Sequence, residues 1–167
     1  PWTRDFLAEY GIPVPTWVIR CPAFRFKIRG QVPAFADEVH ESYWRPGADG
    51  TVVGGGYHAE SVQGPGEFFD EPPERFGREA ERLLRLRLRG GVELVEGWTG
   101  PCSITPDLNP ILDALPGRDD IYLVDGLRGY GLMRGPALGY MVADLASGRK
   151  PRLDPSAYSL ARFSQLI

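Results

Sequence analysis

Cysteine is scarce in this 167-residue chain, which carries only Cys21 and Cys102. Two cysteines make neither a disulfide framework nor the paired spacing of a zinc site. Long apolar runs are lacking too. No stretch reaches the roughly 18 residues needed to cross a bilayer, so no membrane span is expected. Positive charge is not in excess: the formal net charge is -3 and the isoelectric point about 5.4. A nucleic-acid partner would call for a basic domain, so none is expected. The opening Pro1-Trp2-Thr3-Arg4 has no initiator methionine and no basic region ahead of an apolar stretch. No secretory leader is expected, and a cytoplasmic setting is. There is no internal repeat. The 21 glycines and 16 prolines are dispersed as turn punctuation rather than gathered into a low-complexity tract. What is present suits one compact fold, since 43% hydrophobic and 11% aromatic residues argue against disorder.

Residues 2–10 read as a short helix, with Thr3 as its cap, Phe6, Leu7 and Tyr10 as apolar positions and Gly11 as its stop. Residues 17–28 read as extended, because Phe24, Phe26 and Ile28 alternate with Arg25 and Lys27. A loop is expected over 33–38. Strands at 42–45 and 51–57 flank the turn signal Pro46-Gly47-Ala48-Asp49-Gly50. Residues 61–72 read as a polar loop and 74–86 as a helix. The arginines of that helix are either a docking patch or a solvated face with local ion pairs. Strands are expected at 92–98 and 121–124. A glycine-rich turn then leads to a helix from Pro136 to Leu145, with proline in its first turn and Gly148 after its last. The tail after 149 reads as irregular.

Gly129-Tyr130-Gly131-Leu132-Met133-Arg134-Gly135 follows a strand and opens a helix, the local setting of a dinucleotide fingerprint. A helix N-terminus offers N–H groups and a positive dipole end to an anion. A full dinucleotide unit also needs a second parallel strand ending in an acidic residue. Only about twenty residues follow the helix, and Pro151 and Pro155 interrupt them. Two readings stay open: glycines that let helix and strand pack closely, or a flavin site that uses the helix end without the full motif.

Five segments in order resemble the family of D-amino-acid oxidase, glycine oxidase, sarcosine oxidase and dimethylglycine dehydrogenase. They are Pro1-Trp2-Thr3 with the stretch to Pro15; Tyr43-Trp44-Arg45-Pro46 with Gly54-Gly55-Gly56; Trp98-Thr99-Gly100 with Thr105-Pro106-Asp107; Val124 to Gly139; and Arg162-Phe163. The resemblance implies an α+β fold, the C-terminal portion of a two-domain FAD-dependent oxidoreductase. Residues 1–16 would end one segment of the FAD domain, 17–98 would form the substrate-binding domain, and 99–167 would return to the FAD domain. The implied reaction oxidises a C–N bond of an amine or amino acid by hydride transfer to flavin. The half that holds the ADP part of FAD is not recognised here, so FAD is expected to bind only together with such a half, in the same or another chain.

The resemblance also implies site residues. Gly129, Tyr130, Gly131, Leu132 and Met133 match the family loop beside the flavin ring, where N–H groups stabilise the charge of the reduced ring. His58, in Gly56-Tyr57-His58, matches a substrate-facing histidine; a strand-end histidine with a hydrogen bond is the other reading. Cys102 stands where relatives anchor a substrate carboxylate with arginine or tyrosine, and Met133 where sarcosine oxidase has lysine. Arg128 and Arg134 are the candidate substitutes. Asp107 reads as a turn acceptor rather than a catalytic base. Loss of both usual anchors also suits a non-catalytic subunit or binding module derived from this family.

Overall fold

A computed structural model describes residues 1–57, 60–61 and 71–165. The chain divides into two compact units, residues 20–101, and residues 1–19 with 102–167. Mixed helix and antiparallel sheet make up both, as the α+β expectation required.

The 20–101 unit is an antiparallel sheet under one helix. Its strands are β1 (Trp17–Ile28), β2 (Phe35–Asp37), β3 (Ser42–Pro46), β4 (Thr51–Gly56), β5 (Glu60–Ser61) and β6 (Val92–Ile104). They follow the order β2-β3-β4-β1-β5, and β6 also pairs with β1. Phe24 faces Gly54 and Phe26 faces Val52 across β1 and β4, which fixes one face. That face packs against helix α2 (Glu74–Arg85) through Phe24, Phe26, Trp44, Val52, Ala80, Leu83 and Leu84. The arginines of α2 hold local partners: Arg78 pairs with Glu74, Arg82 with Glu79 at 2.7 Å, and Arg85 with Glu81 at 2.7 Å. Where a loop was expected over 33–38, β2 pairs with β3 in the register Phe35–Trp44 and Asp37–Ser42. The buried Asp37 explains the difference. Arg87, just past α2, donates to it from Nε at 2.6 Å and Nη2 at 2.9 Å. That tertiary fork holds the Asp37 carboxyl well below the usual carboxylate range and pins the edge strand.

The other unit is built around a hairpin, β7 (Ile111–Leu115) and β8 (Arg118–Asp125). Ile111, Leu115 and Leu123 pack with Leu7, Val14, Leu160 and Phe163 on one face. Leu112 meets Leu138 and Met141 of helix α3 (Gly131–Ala146) on the other. The first helix, α1 (Thr3–Ala8), begins at Thr3, so Thr3 lies within it and makes no cap; Trp2 occupies that position. Two 3₁₀ turns, Ser156–Tyr158 and Leu160–Phe163, order the tail that read as irregular. They hold because Ser159 Oγ and the Leu160 N–H both donate to Asp113 Oδ2, at 2.6 and 2.8 Å. No described helix is long and apolar enough to cross a membrane, and no described group of residues could hold a metal ion.

Candidate functional site

Helix α3 starts at Gly131, not near Pro136, so the second half of the glycine-rich segment is its first turn. Pro136 lies inside the helix and withholds the N–H that the Leu132 carbonyl would accept. Leu132 is 94% exposed at the head of the helix, where a missing bond is cheaper than in a buried interior. The Met133 and Arg134 N–H groups close the turn on the Tyr130 carbonyl at 3.1 and 2.9 Å. Gly148 ends the helix as expected, with φ +65°. Its N–H donates to Leu145 O at 3.0 Å and that of Arg149 to Asp144 O at 2.8 Å, a Schellman closure.

The approach to α3 is held by the end of β6. Three contacts share one antiparallel register. A Cβ on Gly126 would lie 2.4 Å from Thr105 Cγ2. The Arg128 N–H donates to Ser103 O at 3.0 Å. A Cβ on Gly129 would lie 3.5 Å from Cys102 Sγ. Residues 126–129 therefore run back along 102–105. Three left-handed sites within four residues make the turn: Gly126 at φ +73°, Arg128 at +51° and Gly129 at +77°. Glycine adopts such φ freely, whereas Arg128 is held there by its bond to Ser103.

Sequence reasoning missed this register, because Cys102 was read only as a lost anchor. The half-buried Cys102 instead lies under Gly129. Arg128 and Gly129 are exposed, and Leu132 and Met133 are 94% and 70% exposed at the head of α3. Arg134 turns back over the Tyr130 ring, its Cζ 5.1 Å from the centroid. Its Nη1 is buried and has no hydrogen-bond partner among the described residues. The structure thus gathers Cys102, Arg128, Gly129, Tyr130, Gly131 and Arg134 into one strand–loop–helix junction. His58 lies outside the described residues.

Beneath the junction, Thr16 Oγ1 donates to the buried Asp125 at 3.3 Å, and Asp125 takes the Gly126 N–H at 2.7 Å. Asp107 is a turn acceptor. It receives the Asn109 N–H at 3.0 Å and the Arg162 guanidinium at 2.8 Å. Arg162 chiefly, with the Asn109 N–H and Thr105 hydroxyl, lowers its pKa to about 2 against the opposing effect of burial. A carboxylate so committed does not serve as a base near neutrality.

An anion is what this arrangement suits. At the head of this 16-residue helix the Met133 and Arg134 N–H groups are taken by Tyr130 O, and those of Gly131 and Leu132 lie ahead of these bonds. No acidic residue sits in the first turn, and a buried arginine nitrogen lacks a partner among the described residues.

The fold is that of amino-acid oxidoreductases. L-proline dehydrogenase from P. horikoshii superposes with a TM-score of 0.80 at 25% identity, over 96% of this chain and 44% of that one. Glycine oxidase from Geobacillus kaustophilus gives 0.73 at 22% identity, over 96% and 43%. The FAD dependent oxidoreductase family model matches residues 1–145, and the chain belongs to that family. N-methyl-L-tryptophan oxidase from Salmonella typhimurium is 30% identical over 151 residues, covering 84% of this chain. The chain spans 39% of that relative's length. FAD is thus the family's cofactor, and the exposed glycine loop and acid-free helix end fit an electron-rich ring.

Proposed function

We propose that this chain forms the C-terminal part of an FAD-dependent enzyme that oxidises a C–N bond of an amine or amino acid. Family membership supports the flavin, and the 126–134 junction carries the assignment of its contact. In this reading residues 17–98 bind substrate, while 1–16 and 99–167 complete the FAD-binding domain. A half in the same or another chain holds the ADP part. FAD, when bound, supplies the acceptor for a hydride leaving the carbon beside the amine nitrogen.

This chain's own residues hold and orient. The Gly131 and Leu132 N–H groups at the head of α3 would stabilise the charge that the reduced ring gains. Gly129 and Gly131 would let backbone approach the ring, and Tyr130, Leu132 and Met133 would shield it from water. The unpartnered Nη1 of Arg134, with the exposed Arg128, offers positive charge to a substrate carboxylate near Cys102. His58 orients the amine.

N-methyl-L-tryptophan, named by the curated relatives, makes secondary amino acids the first class to try. The test is anaerobic mixing of the purified, FAD-loaded full-length protein with a panel of N-methyl amino acids, primary amino acids, alcohols and 2-hydroxy acids. Bleaching of the flavin by an amine is expected. Bleaching by a hydroxy compound and by no amine would overturn the C–N assignment.

A further inference from the structure

Two motifs stay unused by the flavin-loop reading, Thr105-Pro106-Asp107 and Arg162-Phe163. The fold joins them. Arg162, with only 17% of its side chain exposed, takes both oxygens of Asp107, through Nε at 2.8 Å and Nη2 at 3.2 Å. Nη2 also reaches the carbonyls of Asn109 and Pro110 at 2.9 and 3.0 Å. Nη1 reaches those of Tyr158 and Ser159 at 2.8 and 2.9 Å. The Phe163 ring backs the guanidinium, with Cζ 4.1 Å from its centroid. Five donors in a rigid plane meet such a set of acceptors; an ammonium does not.

The tail does not need Arg162 to stay docked. Ser159 and Leu160 are bonded to Asp113, and Leu160 and Phe163 are buried in the core. What Arg162 adds is a hold on the 107–110 turn from the tail, beside the one from Thr105. That turn governs Thr105, whose hydroxyl lies 2.7 Å from Asn109 O and 3.0 Å from Asp107 Oδ1 and shares its proton between them. Thr105 is fully buried, and its methyl fills the place where Gly126 has no side chain. From Gly126 the loop runs back along 102–105 into α3.

We infer that Arg162 is a positioning residue for the 126–131 loop, acting through the Asp107–Asn109 turn and the Thr105 side chain. The consequence for flavin rests on the function proposed above. Arg162 touches neither loop nor cofactor; it fixes the shelf against which the loop is laid. The ion pair persists through the neutral range, because Asp107 is ionised there.

The test uses the full-length protein with its FAD and compares Arg162→Met, Asp107→Asn and the double variant. Amide exchange over 127–130 should quicken about tenfold in each single variant, while the Leu123 and Met141 amides keep their wild-type rates. The midpoint potential of bound flavin should fall by about 30 mV, a tenfold weaker hold on the reduced ring relative to the oxidised one. The double variant should show no more than the larger single effect, as for residues acting in series. If Arg162→Met does not fold, Arg162→Lys is read in its place, since lysine keeps the charge but cannot span the acceptors. Unchanged exchange at 127–130 overturns the positioning role and leaves the flavin reading standing. Faster exchange with an unmoved potential upholds the positioning role and contradicts flavin contact by this loop.

Discussion

Gly126→Ala separates the two jobs that glycine does in the 126–131 segment. At Gly126 the obstacle is internal. Its φ of +73° costs an alanine about 1–2 kcal/mol. The new Cβ would also stand 2.4 Å from Thr105 Cγ2. Thr105 is fully buried and its hydroxyl is engaged, so it has nowhere to retreat. Overpacking of that kind adds about 1–3 kcal/mol. The expected total is about 3 kcal/mol, read as a fall in the urea midpoint at unchanged slope. Gly131→Ala is the contrasting case. Gly131 has no left-handed φ, its Cβ would meet Leu127 Cδ1 at an ordinary 3.4 Å, and helix propensity favours alanine. Its stability should stay within about 0.5 kcal/mol of wild type. Thr105→Ser removes the obstructing methyl and keeps the hydroxyl. It should therefore cost less in the Gly126→Ala background than in wild type, a coupling of about 1–2 kcal/mol. A Gly126→Ala protein as stable as the parent would refute the register drawn between 102–105 and 126–129.

The Arg162–Asp107 pair makes an acid-side prediction. Asp107 falls from 3.8 to about 2 on folding, so its contribution is complete above about pH 4 and fades as pH drops toward 2. After discounting for partial exposure it amounts to about 1 kcal/mol. Asp107→Asn should lose that much at neutrality and flatten the pH dependence between 4 and 2, checked by denaturant titration at each pH; an unchanged slope would show that the carboxylate is not held. Gly148→Ala, at φ +65° with open space around its Cβ, should cost about 1 kcal/mol through the backbone alone and leave flavin binding intact. In the complete enzyme His58→Ala should slow flavin reduction by roughly ten- to a thousandfold with FAD content unchanged. An unaltered rate in stopped flow would return His58 to a strand-end role.

Local chemistry announced some elements and hid others. The β3–β4 hairpin was legible because Pro46-Gly47-Ala48-Asp49-Gly50 separates two runs of strand-formers, and the end of α3 because Gly148 supplies the left-handed residue a Schellman closure needs. The β7–β8 hairpin was half seen. Asp113, Asp119 and Asp120 dilute its pattern, although Pro116-Gly117, with Gly117 at φ +74°, carried a usable turn signal. The start of α3 was misplaced because proline is expected in a first turn, and nothing local says that the helix already begins at Gly131 with an exposed turn ahead of Pro136. At the candidate site the glycine loop was visible as a motif. Its support was not: Arg162 and Asp107 lie 55 residues apart in sequence, and only the fold brings them together.

Gly131→Val tests most directly whether the loop entering α3 faces the flavin ring. A Cβ at Gly131 meets nothing closer than Leu127 Cδ1 at 3.4 Å, so Gly131→Ala, which the fold accepts, is the control that separates lost flavin contact from lost packing. In the full-length protein the melting temperature of the apoprotein should stay near wild type. FAD occupancy should fall, or the midpoint potential of the bound flavin should drop as the ring is pushed from the N–H groups of the helix end. Full FAD occupancy with an unaltered potential would contradict the claim and leave the glycines of this loop to packing alone.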